Sequence, residues 1–178
     1  AARLSDPLAQ LPPWVVRTVP FTEALCRFLL LCAVTEPSLR RGLLVLGAPG
    51  SGRRSVVRAA AACLRLPVDV VPLTRETTAD SLLQLPSIDG DVTSGFSDGP
   101  LLRAAEAGRV FIATEGEATG SPHALAGILG CLAAGEPVSL PDGTVLGRAA
   151  DGPGDRLVHP DFRLVVVADA ARLPLTAE

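Results

Sequence analysis

Short runs rich in Val, Leu and Ile recur along the chain at Leu43 to Leu46, Val68 to Leu73, Val110 to Ala113 and Phe162 to Ala168, the length and content expected of buried strands. Between them the apolar positions change to helical spacing. A helix is expected from Phe21, with Ala24, Leu25, Phe28, Leu29, Cys32 and Ala33 on one face, Thr22 as its cap and Pro37 as its end. Others are expected from Gly52 to about Leu64, from Thr77 to Leu85, through Leu101, Leu102, Ala104 and Ala105 with Ser97 or Asp98 as cap, and from Ser121 to Ala133 with Pro122 in the permitted first position. Gly42 and Gly47 bound the Leu43 run, which reads as a buried central strand.

The intervening segments read as turns and loops. Pro86 to Gly95 is rich in Gly, Asp and Ser, the composition of a loop, and Gly147 to Asp155 reads the same way. Pro141-Asp142-Gly143 between two short apolar runs predicts a small hairpin over Val138 to Leu146. Residues 1–20, with Pro7, Pro12, Pro13 and Pro20 around the lone Trp14, form an extended lead-in, and residues 21–178 form the domain. Strands alternating with helices imply an α/β fold: a parallel sheet with helices on both faces and a small β-hairpin insertion.

With 178 residues and 48% hydrophobic content the chain is long and apolar enough to bury a core. It contains no Lys, Asn, Met or Tyr, so all sixteen basic residues are Arg. Any site that elsewhere uses an ammonium must here use a guanidinium, which differs in shape and hydration. The missing initiator Met is expected of a processed protein or an excerpt. A net charge of −3, with only the doublets Arg40-Arg41 and Arg53-Arg54, gives no footprint for nucleic acid. Cys26, Cys32, Cys63 and Cys131 lack metal or redox spacing and read as reduced, buried thiols of an intracellular protein. No apolar run reaches the roughly twenty residues of a membrane span, and no signal peptide is visible. His123 and His159 have no partner pattern and default to surface or capping roles.

Two segments carry candidate chemistry. The run Gly47, Ala48, Pro49, Gly50, Ser51, Gly52, Arg53, Arg54, Ser55 follows a predicted strand and opens a predicted helix. In that setting backbone N–H groups and the helix N-terminus make a cradle for phosphate oxygens. Gly47 and Gly52 match the glycines of G-x-x-x-x-G-K-[ST], the Walker A pattern. Arg53 stands where the Lys belongs and Arg54 where the Mg²⁺-binding hydroxyl belongs; Ser55 is one residue late, turned about 100° away on a helix. A Gly-rich turn without a ligand has the same local pattern. The second segment, Val110 to Ala118, is a strand ending like a Walker B motif, in which an Asp orients Mg²⁺ and a Glu polarises water. Thr114 replaces the Asp, Glu115 remains, and Glu117 lies close by. Asp169, at the end of the fourth strand, reads either as a group reaching the γ-phosphate and water or as a solvated strand-end carboxylate.

These two runs, together with LTRETTADSLLQ, DGPLLRAAEAGRVFI, the LPDG turn and HPDFRLVVVAD, resemble the AAA+ ATPase modules of the von Willebrand factor A domain-containing protein 8 family and, more distantly, the midasin, dynein and MoxR group. The likeness runs from about Arg41 to Asp169. It implies a five-stranded P-loop NTPase sheet, ATP or ADP with Mg²⁺ as ligands, binding at subunit boundaries to other AAA+ modules of the same or neighbouring chains, and a mitochondrial home. By motif match Gly47 to Arg54 would be Walker A, Thr114 and Glu115 Walker B, and Asp169 sensor 1. The chain ends before a lid, fifth strand or arginine finger is expected. The replacements at positions 53, 54 and 114 leave no expected metal ligand set. They point to a degenerate module that binds nucleotide with weak or absent hydrolysis, in which Glu115 and Asp169 would be any catalytic residues. A nucleotide-free scaffold, marked by Arg53 and Arg54 turning onto Glu115 or Asp169, and a slow ATPase using Glu115 are the alternatives.

Overall fold

The computed structural model describes residues 19–33, 42–89, 93–115, 122–147, 149, 152, 154–169 and 171–172. Most of the lead-in, Pro37, Glu117, Ser121 and the side chain of His123 lie outside the described residues. In chain order the elements are α1 (Val19–Ala33), β1 (Leu43–Leu46), α2 (Arg53–Cys63), β2 (Val68–Pro72), α3 (Ala79–Leu83), β3 (Gln84–Asp89), β4 (Thr93–Asp98), α4 (Pro100–Glu106), β5 (Val110–Thr114), α5 (Pro122–Ala134), β6 (Val138–Ser139), β7 (Val145–Gly147), β8 (Arg156–Leu157) and β9 (Arg163–Ala168).

Four parallel strands form the main sheet in the order β1-β9-β5-β2. All five residues of β5 are buried because the strand is covered on both faces. Its alternate side chains enter two separate cores. Val110 and Ile112 pack with Phe21, Leu25 and Phe28 of α1 and Val56, Val57 and Ala60 of α2. Phe111 and Ala113 pack with Leu82 and Leu83 of α3, Leu101 and Leu102 of α4, Leu125 and Leu129 of α5, and Leu146 of β7. The period of two along β5 thus sorts the helices into two layers. Each fully buried Phe, Leu or Ile stabilises this arrangement by roughly 1.5–3 kcal/mol relative to exposure.

Several expectations are corrected. The Leu43–Leu46 strand is present, but among the described strands it lies at the sheet edge rather than the centre, with Leu44 and Leu46 exposed. Helix α1 begins at Val19, before Phe21, so Thr22 lies inside it instead of capping it, and Pro20 sits in the first turn, where no intrahelical N–H bond is lost. Cys26 is exposed and Cys131 half-buried, because the helical phase that buries Phe21, Leu25 and Phe28 turns Cys26 outward; the side chains of Cys32 and Cys63 lie outside the described residues.

The expected helix from Thr77 to Leu85 contracts to α3. Thr78 caps it in a reciprocal pair with Ser81, and Gln84 leaves it for a strand. Most of the expected Pro86 to Gly95 loop is an antiparallel hairpin, β3 with β4. Neither Ser97 nor Asp98 caps α4; the cap position is Gly99, where a Cβ would collide with the Leu82 carbonyl, and Pro100 follows in the first turn. Asp98 is engaged elsewhere: Arg156 Nη1 and Nη2 donate to its two oxygens at 2.6 and 2.7 Å, while Arg156 Nε and Nη2 donate to Glu106 at 2.6 and 2.9 Å. The predicted Val138 to Leu146 hairpin is found as β6 with β7, extended by β8 in parallel. Buried Gln84 ties this unit to β4, donating to Asp98 at 3.3 Å and Asp142 at 2.9 Å.

Candidate functional site

Parallel strands place all their C-terminal ends along one edge of the sheet, where ligand crevices form in such folds. Here that edge carries the Gly47 turn after β1, Leu73 to Arg75 after β2, Glu115 after β5 and Asp169 after β9. A cleft of about 970 Å³ opens there, lined by Pro49, Gly50, Gly52, Arg53, Arg54, Ser55, Leu73, Thr74, Arg75, Glu115 and Arg172.

The glycine turn holds the shape its sequence requires. Gly50 and Gly52 have φ of 81° and 82°, left-handed values that cost a side chain about 1–2 kcal/mol. At Gly47 a Cβ would come within 2.9 Å of Ser51 Oγ and 3.3 Å of Arg53 Cδ, so a larger residue there would have to displace those two side chains. Gly47 N–H donates to the Ala168 carbonyl of β9 at 3.3 Å, anchoring the turn to the sheet. Gly52 then serves as the cap position of α2 and makes no side-chain cap. The first intrahelical bond runs from Val56 N–H to Gly52 O, so the amides of Arg53, Arg54 and Ser55, all cleft-lining residues, come before the helix ladder begins. The positive end of an eleven-residue helix therefore faces the cleft.

Across the cleft, Arg54 Nη2 donates to Glu115 Oε1 at 2.7 Å, joining the glycine turn to the end of β5 over the intervening β9. Glu115 holds a φ of 61°, strained for a residue with a Cβ, and that conformation turns it out of the buried strand. Its predecessor Thr114 is 1% exposed, and its hydroxyl oxygen has no hydrogen-bond partner among the described residues. Asp169 is buried at the end of β9, accepts from the Ala171 N–H at 3.0 Å and lies 3.8 Å from Arg172 Nε. It is Arg172, rather than Asp169, that lines the cleft.

The structure thus brings together Pro49, Gly50, Gly52, Arg53, Arg54 and Ser55 of the predicted loop with Glu115, leaves Gly47, Ala48 and Ser51 out of the lining, and sets Asp169 beside Arg172. Sequence reasoning missed Leu73, Thr74, Arg75 and Arg172. The signal for the first three was available, since they directly follow a strand of a parallel sheet. His159 is exposed and its Nδ1 accepts from the Asp161 N–H at 3.1 Å, a local turn contact remote from the cleft residues.

Residues 42–174 match the AAA domain family, dynein-related subfamily. The chain belongs to that AAA family. It is 29% identical over 136 residues to the von Willebrand factor A domain-containing protein 8 of Mus musculus, a match covering 74% of this chain and 7% of the mouse protein. The fold is similar to that of a candidate ATPase from Cytophaga hutchinsonii, whose crystal structure aligns with a TM-score of 0.50 at 15% identity over 88% of this chain and 39% of the other. The chain therefore spans only a small part of the curated relative and under half of the structural one. The family is one of nucleotide-binding ATPase domains, and the Gly47 turn lies within the matched residues.

Mg²⁺ is the usual metal of such sites, held by a hydroxyl after the loop and a carboxylate at the strand end. On the motif match made from the sequence, the residues present here do not fit it: Arg54 falls at the hydroxyl position, buried Thr114 at the Asp position, and the carboxylate that remains, Glu115, is bonded by Arg54. Among the described residues no group of three or more His, Cys, Asp or Glu lies close enough together to hold a metal ion. Likewise, among the described residues no helix is long and apolar enough to cross a membrane.

Proposed function

We propose that this chain is a degenerate AAA+ module that binds ATP or ADP, hydrolyses it weakly or not at all, and serves as one station of a larger AAA+ assembly. The observation that carries the reading is the 2.7 Å contact between Arg54 and Glu115 beside an open glycine cradle. Phosphoryl transfer depends on charge stabilisation around the γ-phosphate and on an acid free to orient water. Here the acid is engaged by Arg54, and Arg53 and Arg54 replace both the Lys and the metal-binding hydroxyl. Guanidinium groups still suit phosphate oxygens, bidentately and without deprotonation. Binding is thus separated from hydrolysis.

The same contact favours a second reading, a nucleotide-free scaffold whose cradle is filled by its own arginines. Two points weigh against it. Arg53 lines the cleft rather than joining Arg54 on Glu115. The Arg54 and Glu115 side chains are 57% and 47% exposed, and a pair so open to solvent contributes only about 0–1 kcal/mol, too little to exclude a polyphosphate. Assembly with other AAA+ modules and a mitochondrial setting belong to the proposal through the resemblance to the mouse protein, whose full length far exceeds this chain. The test is titration of the folded full chain with a fluorescent ATP analogue alongside a phosphate-release assay. Saturable binding with turnover near background supports the module reading. No saturation at millimolar nucleotide supports the scaffold, and robust Mg-dependent turnover abolished by Glu115→Gln supports an active ATPase.

A further inference from the structure

We infer that the Arg54 guanidinium takes the place of the divalent cation, so that this cleft binds nucleoside di- or triphosphate without Mg²⁺. The inference rests on the nucleotide-binding reading and adds a property which that reading does not require. In a metal-dependent loop, the residue two places after the last glycine supplies a hydroxyl to Mg²⁺, and the ion bridges phosphate oxygens to the strand-end acid. In this chain that residue is Arg54, and its Nη2 already reaches the strand-end acid Glu115 at 2.7 Å. A guanidinium in that position offers five N–H donors in a fixed fork. One is used by Glu115, which leaves the planar group able to present others to phosphate while the carboxylate orients it. Positive charge, acid contact and phosphate contact, the three things the ion supplies, are then provided by one side chain.

Charge around the cleft points the same way. The described lining residues carry four guanidinium groups, Arg53, Arg54, Arg75 and Arg172, and one carboxylate, Glu115. That excess matches the negative charge of a polyphosphate, and the same groups repel an incoming divalent ion. The chain as a whole is acidic, with a net charge of −3, so the excess is local to this site. At Thr114, replacement of the acid by a buried neutral side chain removes a second anionic anchor that a metal needs.

The experiment is isothermal titration of the full chain with ATP and with ADP, once in excess Mg²⁺ and once in EDTA, for the native sequence, Arg54→Thr and Arg58→Thr. Arg58 is exposed on the same helix, does not line the cleft, and controls for loss of one positive charge. The native chain is expected to bind with dissociation constants agreeing within about threefold in the two buffers. In EDTA, Arg54→Thr is expected to weaken binding at least tenfold, while Arg58→Thr stays within about threefold of native. Thermal unfolding checks that both variants remain folded. Native binding that falls tenfold or more in EDTA overturns the inference while leaving nucleotide binding intact. Arg54→Thr binding as tightly as native in EDTA overturns it as well. Absence of binding in both buffers overturns the nucleotide-binding reading, and this inference with it.

Discussion

Arg156→Ala removes the side chain that ties β8 to β4 and α4. The wild-type guanidinium makes four bonds of 2.6 to 2.9 Å, a bidentate pair to Asp98 and another to Glu106. The three side chains are 23%, 31% and 33% exposed, between the open and buried extremes. Fully exposed pairs contribute about 0–1 kcal/mol, and breaking a buried pair costs about 3–5 kcal/mol, so a loss of about 2 kcal/mol is expected here. Two carboxylates left together without their cation add to the low end of that range. For a domain of this size the loss lowers Tm by roughly 4–8 °C. The effect has a signed pH dependence. Hydrogen bonding to Arg156, opposed by desolvation and aided by Gln84, holds the Asp98 carboxyl below its ordinary value of 3.8. A depressed folded-state pKa gives stability that is fully present above the unfolded value and lost as pH falls through the folded one. Urea unfolding should therefore show the full gap between wild type and variant at pH 7, narrowing once the pH drops below about 3.8. A gap under about 0.5 kcal/mol at pH 7, or one that widens with acidification, would refute the assigned role.

Other consequences can be measured independently. Gly52→Ala forces a Cβ onto a φ of 82° and is expected to destabilise by about 1–2 kcal/mol in urea unfolding, with weaker nucleotide binding; an unchanged midpoint contradicts the strained-turn assignment. Phe111→Ala empties a fully buried site in the second core and is expected to cost about 3–5 kcal/mol, read by thermal unfolding; a loss below about 1 kcal/mol would mean the α3–α4–α5 layer is not packed as described. The combined variant Arg53→Lys, Arg54→Thr and Thr114→Asp should create Mg-dependent strengthening of ATP affinity of about tenfold, equivalent to about 1.4 kcal/mol; an unaltered constant in a folded sample counts against the motif alignment.

The strand–glycine turn–helix unit and the β5 strand were legible in the sequence because their signals are local. Gly50 and Gly52 punctuate the turn by backbone geometry alone, and Val110 to Ala113 is an unbroken apolar run, as a strand covered on both faces requires. What sequence reading lost was decided by partners far along the chain. Asp98 looks like a helix cap next to Pro100, yet Arg156, fifty-eight residues away, offers two charge-assisted bonds that a cap cannot match. Gln84 looks like a helix residue until Asp98 and Asp142 claim it, and the Ser-, Asp- and Gly-rich segment behind it pairs as a hairpin because β3 and β4 can satisfy each other's backbone. The exposure of β1 follows from strand order, to which periodicity is blind. At the site, substitutions at positions 53, 54 and 114 were visible in the motifs and left an Arg54 to Glu115 contact open as one alternative; the sheet order, with β9 between β1 and β5, sets the two residues where that bond forms.

The central claim, that the Gly47 turn and the helix behind it receive polyphosphate at the sheet edge, is tested most directly by amide resonances of the isotope-labelled full chain during an ADP titration. The account predicts saturating shifts concentrated at Gly50, Gly52, Arg53, Arg54 and Ser55, with smaller ones at Thr74, Arg75 and Glu115. Saturating shifts elsewhere on a folded chain while these amides stay fixed, or no shifts at millimolar ADP, would contradict it.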